Sequence, residues 1–277
     1  MPLADRPPEP EALPPTPDQL QSLGLRAYEA LAPLYEQHWG AAFLREATGL
    51  YEQLLASHLA ANSRVLDLCC GAGHFAHWLS AQGRRVVGVD AAPSIIALAR
   101  LRAPGEEFHV ADMRSFRLPV VFDAAVCFYN SVNQVLTPEG LRAVFESVHQ
   151  HLRPGARFLF DLVLEEGYAR SWHADEVLAV GERTCELAYR YDPSAQLASC
   201  RATLRSAEGE AAETWEFCQR PHELATVIES LRQAGFESVE QHAVGGSNPP
   251  GGRLALVAIR AAESTAGERR SQSAAQR

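Results

Sequence analysis

The sequence predicts an α/β fold: a doubly wound, mainly parallel sheet with a small antiparallel β insertion after its fifth strand. Three observations carry this expectation. Short apolar runs with little polar alternation recur between helical stretches, as strands buried on both faces and joined by helical crossovers require. The first of these runs ends in a glycine turn, Gly71-Ala72-Gly73, that opens a helix. Beyond about residue 170 the apolar residues switch to period two, the signature of antiparallel strands with one covered face.

Taken in order, residues 1–17 carry seven prolines and residues 261–277 read AAESTAGERRSQSAAQR. Neither has periodic apolar residues to offset the entropy of ordering, so both are expected as disordered tails flanking one domain over 18–260. A helical cap over 18–60 opens that domain. Asp18 is the expected N-cap, and Leu20, Leu23, Leu25, Tyr28, Leu31, Leu34 and Tyr35 recur at helical spacing, with Pro33 as a kink or break and a second stretch over about 41–60. Strand-like runs follow at 64–68, 85–89, 107–110, 122–128 and 156–163, with helices from about 73, near 94–102 and near 138–152. In the insertion, at about 170–220, segments 183–191, 196–205 and 211–219 alternate around the turn residues Asp192-Pro193-Ser194 and Glu208-Gly209. Pro221 is expected to open a helix to about 234, capped by Gly235, before a last apolar run at 254–259.

Composition bounds the chemistry. The chain has 277 residues, 47% hydrophobic and 21% charged, which is the balance of a folded globular domain. All 25 of its basic residues are arginine, so neither a lysine Schiff base nor a P-loop lysine is available. A net charge of −9 argues against a nucleic-acid backbone as partner. The six cysteines, at 69, 70, 127, 185, 200 and 218, form no ligand spacing, so no metal site is expected and a reduced, cytoplasmic chain fits. No apolar run approaches the ~18 residues of a membrane span, so no membrane partner is expected either.

The stretch RVLDLCCGAGHFA at 64–76 is a strand, a glycine turn and a helix start. Gly71 and Gly73 let the backbone approach a ligand and turn tightly. Asp90 ends the next strand 19 residues after Gly71, about where an acid meets ribose hydroxyls, so the pair points to a nucleoside-type ligand. Asp67 before the turn and Asp112 after the third strand decide its charge. A pyrophosphate would be repelled by carboxylates there, whereas a sulfonium with an ammonium group would be attracted. An NAD-dependent oxidoreductase therefore fits poorly.

On these residues the sequence resembles class I S-adenosylmethionine-dependent methyltransferases of the small-molecule type. LDLCCGAG stands for the glycine motif, Asp90 in VVGVDAAPSII for the ribose acid and ADMRSF for the adenine motif, with FDAAVCFYNSVNQVL and LRPGARFLFDL extending the match. The resemblance implies the Rossmann-like methyltransferase fold with S-adenosyl-L-methionine as cofactor. It implies Gly71 and Gly73 along the methionine part, Asp67 near its amino group and Asp90 on both ribose hydroxyls. Ile95 would lie on the adenine, Asp112 on its exocyclic amine, Met113 would offer a backbone amide, and Phe128 would stand beside the methionine moiety. Tyr28 and Tyr35, and less so Trp39, are the implied contacts from the N-terminal helix. Ala92 departs from the serine often found there, which weakens the cap of the following helix, and Glu36 replaces the usual aspartate after the second tyrosine.

Methyl transfer from a sulfonium is an in-line displacement, so the protein must mainly align an acceptor and take its proton where it has one. The candidates at the carboxyl ends of strands four and five are Asn130 and Asn133 as orienting groups, Asp161 as a base and His173 as a second base; His222 is a base by type only. The expected acceptor is a small molecule carrying N or O. The asparagine lacks the Pro-Pro-aromatic continuation of base-methylating enzymes, since the run is YNSVN, and this makes nucleic acid a poor substrate. An RNA-modifying methyltransferase and a catalytically silent cofactor-binding regulator remain as alternatives. The insertion resembles in position the small antiparallel sheet of sugar-amine and glycine-type N-methyltransferases. Its apolar stripes need cover from the acceptor cavity, the N-terminal helix or a second subunit, the last of which would make a homo-oligomer.

Overall fold

Strands form where the apolar runs predict them. Arg64–Leu68 (β1), Arg85–Asp90 (β2), Glu107–Val110 (β3), Phe122–Cys127 (β4) and Leu152–Val163 (β5) pair in parallel, Asp67 standing opposite Gly88 on one side and Val126 on the other. The computed structural model describes residues 15–206, 211–244 and 252–262. Most of both expected tails, residues 1–14 and 263–277, therefore lies outside the described residues.

Helices cover both faces of the parallel strands. Gly40–Leu54 (α3), His74–Ala81 (α4) and Pro93–Arg102 (α5) pack on one face, and Pro138–His151 (α6) on the other. Alternation along β1 sets the sides: Leu66 and Leu68 join the α6 cluster, whereas Val65 joins the cluster of Tyr51, Phe75 and Leu79. Asp67 shares the Val65 face, and so points toward α3 and α4 rather than toward α6. Each cluster removes large side chains completely from water, at roughly 1.5–3 kcal/mol apiece.

The insertion is a separate four-stranded antiparallel sheet, Asp175–Val180 (β6), Arg183–Asp192 (β7), Leu197–Arg205 (β8) and Ala211–Gln219 (β9), in that order. Asp192 forms the turn between β7 and β8 by accepting from the amides of Ser194 (2.8 Å) and Ala195 (3.1 Å), and the expected turn at Glu208-Gly209 lies outside the described residues. β6 lacks a prediction because four of its six residues are exposed and its alternation is faint. A short helix, Glu165–Ser171 (α7), links β5 to this sheet, and Leu224–Gln233 (α8) follows it. α8 begins three residues beyond Pro221, and Gly235 ends it at φ +103°. Phe236–Ala243 (β10) and Arg253–Arg260 (β11) then complete a seven-stranded main sheet in the order β10-β11-β5-β4-β1-β2-β3, β11 running antiparallel to both its neighbours. β10 also escaped prediction: FESVEQHA is an edge strand with one buried residue.

The N-terminal helix Pro17–Ala30 (α1) starts ahead of the expected cap. Thr16, not Asp18, caps it, in a reciprocal box with Gln19. Pro33 falls in the three-residue α2 (Ala32–Leu34), and a π-helical turn, Tyr35–Trp39, leads into α3. α1 lies on the insertion: Ala27, Leu31 and Leu34 pack with Cys185, Leu187, Cys200 and Phe217. The face that raised the expectation of a homo-oligomer is thus covered within the chain.

Candidate functional site

The strand order reverses between β1 and β4, with α4 after β1 on one face and α6 after β4 on the other, the arrangement that places a crevice at the carboxyl ends of the strands. A cleft of about 320 Å³ opens there. Its floor is Leu68 at the end of β1 with Cys69 and Gly71 of the turn, and Asp90 at the end of β2 with Ile95 of α5; Asp112 and Met113 close one end. Tyr28 and Gln21 of α1, Phe217 and Cys218 of β9, and Ser131 and Gln134 after β4 form the roof and far wall.

The glycine turn is a run of left-handed backbone, Cys69 at φ +57°, Gly71 at +54° and Gly73 at +76°. Gly73 is required twice over, since a Cβ there would stand 3.0 Å from the Ala99 backbone of α5. Asp90 holds the turn in place. One carboxylate oxygen accepts from the Gly71 amide (3.0 Å) and the other from the Ala92 amide (3.0 Å). Burial raises its pKa despite these hydrogen bonds.

A second, smaller cavity lies behind the turn, lined by Asp67, His74, Phe75 and Phe128 with Gly40 and Phe43. Asp67 is 3% exposed, and its Oδ2 has no partner. Burial first, and the nearby Asp90 charge second, push its carboxyl up to about 8. A buried acid with an unused oxygen is a receptor for a cation, which fits the ammonium end expected of the cofactor. Phe128 is 3% exposed beside that cavity, edge-on to Phe75 at 5.1 Å. Cys69 and Gly71 line both cavities and so stand between them.

At the other end, Asp112 is clamped by Arg114, whose Nη2 lies 2.6 Å away and whose amide donates at 2.8 Å. Burial would raise the Asp112 carboxyl, but the Arg114 hydrogen bonds outweigh it and hold it low. Arg114 also donates to Gln21 (2.5 Å), tying α1 to the adenine-motif acid. Tyr28 lines the cleft; its hydroxyl accepts from Gln134 (3.0 Å) and its ring lies 5.2 Å from Phe217. Ile95 is buried with Ala92 and Ala72. The Tyr35 side chain lies outside the described residues.

The missing serine at 92 is compensated from α1. The Glu29 carboxylate accepts from the Ser94 amide at 3.3 Å, supplying the cap and the negative charge that the α5 N-terminus favours. Glu36 pairs with Arg102 of α5, and its other oxygen faces His74 at 3.5 Å. Glu29 and Gln134 were invisible as site residues because their partners Ser94 and Tyr28 are distant in sequence.

The acid–base candidates are not brought together. Asn133 is fully buried and its amide is spent on backbone, donating to the carbonyls of Val163 (2.9 Å) and Arg220 (2.8 Å) and accepting from the Val163 amide (3.0 Å). It fastens the insertion to β5 and has no group left for a substrate. Asp161 is also fully buried; its Oδ2 accepts from Arg253 (2.7 Å) and from the Asn130 amide (2.9 Å). Its charge is held in the ion pair with Arg253, and its Oδ1 has no partner. The Asn130 side chain donates to Gln219 (2.6 Å). His173 is exposed between α7 and β6, away from both cavities. His222 is bound to the Val135 carbonyl (2.7 Å), and burial lowers its pKa to about 4.

Residues 65–155 match the methyltransferase domain family. A dTDP-3-amino-3,4,6-trideoxy-alpha-D-glucopyranose N,N-dimethyltransferase of Streptomyces venezuelae is 31% identical over 147 residues, 52% of this chain and 61% of that protein. The chain spans between about half and three fifths of the curated relatives it matches most strongly. Among solved structures, the SAM-bound amino pentose methyltransferase CalS10 of Micromonospora echinaspora is 25% identical with a TM-score of 0.67, covering 82% of this chain and 96% of its own. The fold is shared with the sugar N-methyltransferase KedS8 of Streptoalloteichus (21% identity, TM-score 0.68, covering 94% of this chain and 99% of its own). Among the described residues, no helix is long and apolar enough to cross a membrane.

Proposed function

We propose that this chain, whose residues 65–155 form a methyltransferase domain, transfers a methyl group from S-adenosyl-L-methionine to the nitrogen of a small-molecule amine, an amino sugar being the favoured acceptor class. The observation that carries this reading is the pair of adjacent cavities, an acid-floored cleft and, across Cys69 and Gly71, a pocket lined by Asp67 with its unpartnered Oδ2. Asp90 and Asp112 would hold the ribose and adenine ends, and Asp67 the ammonium end. The cofactor supplies an activated methyl carbon on a sulfonium. The protein orients the acceptor and excludes water, with α1 and β9 as the roof.

Nitrogen rather than oxygen is favoured by the state of the candidate bases. Asp161 is paired with Arg253 and His222 with a backbone carbonyl, and an amine brings its own lone pair whereas a hydroxyl needs a base as the bond forms. The relatives named as amino-sugar N,N-dimethyltransferases support the same choice. Incubating the full chain and methyl-labelled cofactor with a panel of amino sugars, their hydroxyl counterparts and tRNA tests the reading. Label should pass to the amines. Label on tRNA alone, or cofactor binding without transfer to any acceptor, would overturn it.

A further inference from the structure

Cys69 stands apart from the other five cysteines. All five are buried, whereas Cys69 is half-buried. Its left-handed backbone, uncommon for a residue with a side chain, holds it at the lip of the turn, where its thiol faces the Met113 sulfur at 3.9 Å. It is also one of the two residues shared by both cavities, and the other is a glycine. Residue 69 therefore lies between the Asp112 end of the cleft and the Asp67 cavity. The unpartnered, buried Asp67 oxygen in the second cavity is independent evidence of a ligand there.

We propose that Cys69 is a reversible modification site for small thiol-reactive electrophiles, low-molecular-weight disulfides among them, and that its modification and cofactor binding exclude one another. This rests on the cofactor reading above. In the exchange, the Cys69 thiolate attacks one sulfur of the disulfide, a new S–S bond forms, the old one breaks, and the departing thiolate takes up the proton that Cys69 lost. The adduct enlarges the residue that stands between the two cavities, so the nucleoside and ammonium ends of the site can no longer be bridged. A thiol reductant restores it by the reverse exchange.

The test treats the full chain with methyl methanethiosulfonate, with and without saturating S-adenosylhomocysteine, and locates the label by peptide mass spectrometry. Cys69 should be labelled first, and the nucleoside should slow that labelling at least tenfold. The labelled protein should bind S-adenosylhomocysteine at least about tenfold more weakly by calorimetry, as overpacking a fitted site implies, and dithiothreitol should restore binding. A Cys69→Gly variant, whose backbone suits the left-handed turn, should show the same affinity before and after the reagent. Label confined to other cysteines, no protection by a nucleoside that calorimetry shows to bind, or unaltered affinity of the labelled protein would each overturn the proposal. Failure of untreated protein to bind the nucleoside would strike the cofactor reading itself, and is told apart because it precedes any labelling.

Discussion

Because the Asp67 carboxyl is held up to about 8 in the free chain, cofactor binding should be coupled to a proton. The groups around it are Asp90, whose charge raises it, the Ala76 amide, which opposes that, and His74 of the same cavity, whose pKa burial and Arg102 lower. At pH 7 about one Asp67 in ten is ionised, and at pH 6 about one in a hundred. A cationic ligand end draws the carboxylate form, so binding must release the proton that the empty site carries. Linkage then makes the dissociation constant fall about tenfold, roughly 1.4 kcal/mol, from pH 6 to pH 7, with a plateau above about pH 8. Titration calorimetry at pH 6.5 in buffers of different ionisation enthalpy should show close to one proton released per S-adenosylmethionine bound. Asp67→Asn should abolish both the release and most of the slope. A flat wild-type profile over pH 6–7, or an asparagine variant that keeps the slope, would refute the assignment of Asp67 to the ammonium end.

Other substitutions separate the remaining parts of the site. Asp90→Ala removes acceptors from the Gly71 and Ala92 amides as well as from the ribose, and should weaken S-adenosylhomocysteine binding by about 2–4 kcal/mol in a calorimetric titration. Glu29→Ala strips the α5 cap and should cost about 1 kcal/mol in urea unfolding, since no side chain of residue 92 can replace it. Asp161→Ala leaves Arg253 with Glu46 alone and should destabilise by about 3–5 kcal/mol in the same assay, whatever the pH of the activity optimum. Phe217→Ala opens the wall shared by α1 and β9, and should raise the apparent KM for both cofactor and acceptor. An effect on the acceptor alone would mean that the insertion lines only the acceptor side.

The main sheet was legible because burial on both faces writes itself locally. VLDL, VVGV and FDAAVC are apolar wherever helices cover them, and the glycine turn with Asp90 19 residues on marks the crevice without any knowledge of what closes it. The same logic fails at edges. β6 and β10 are solvated strands whose side chains carry almost no pattern, so pairing with β7 and β11 alone makes them strands.

Which polar residues act at the site was decided by tertiary structure. Asn133 and Asp161 read as chemistry because an amide and a carboxyl follow strand ends. Only the packed chain shows one saturated by the backbone of β5 and residue 220, and the other paired with an arginine 92 residues away. Conversely, Glu29 caps a helix 65 residues on, and Arg114 reaches 93 residues back to Gln21. Local sequence determined the strands, the glycine turn and the place of Asp90 at the end of β2, because each depends on neighbours within a few residues. The covering of the insertion by α1, the pair of adjacent cavities and the raised carboxyl of Asp67 depend on desolvation by elements far apart in the chain, which no local spacing encodes.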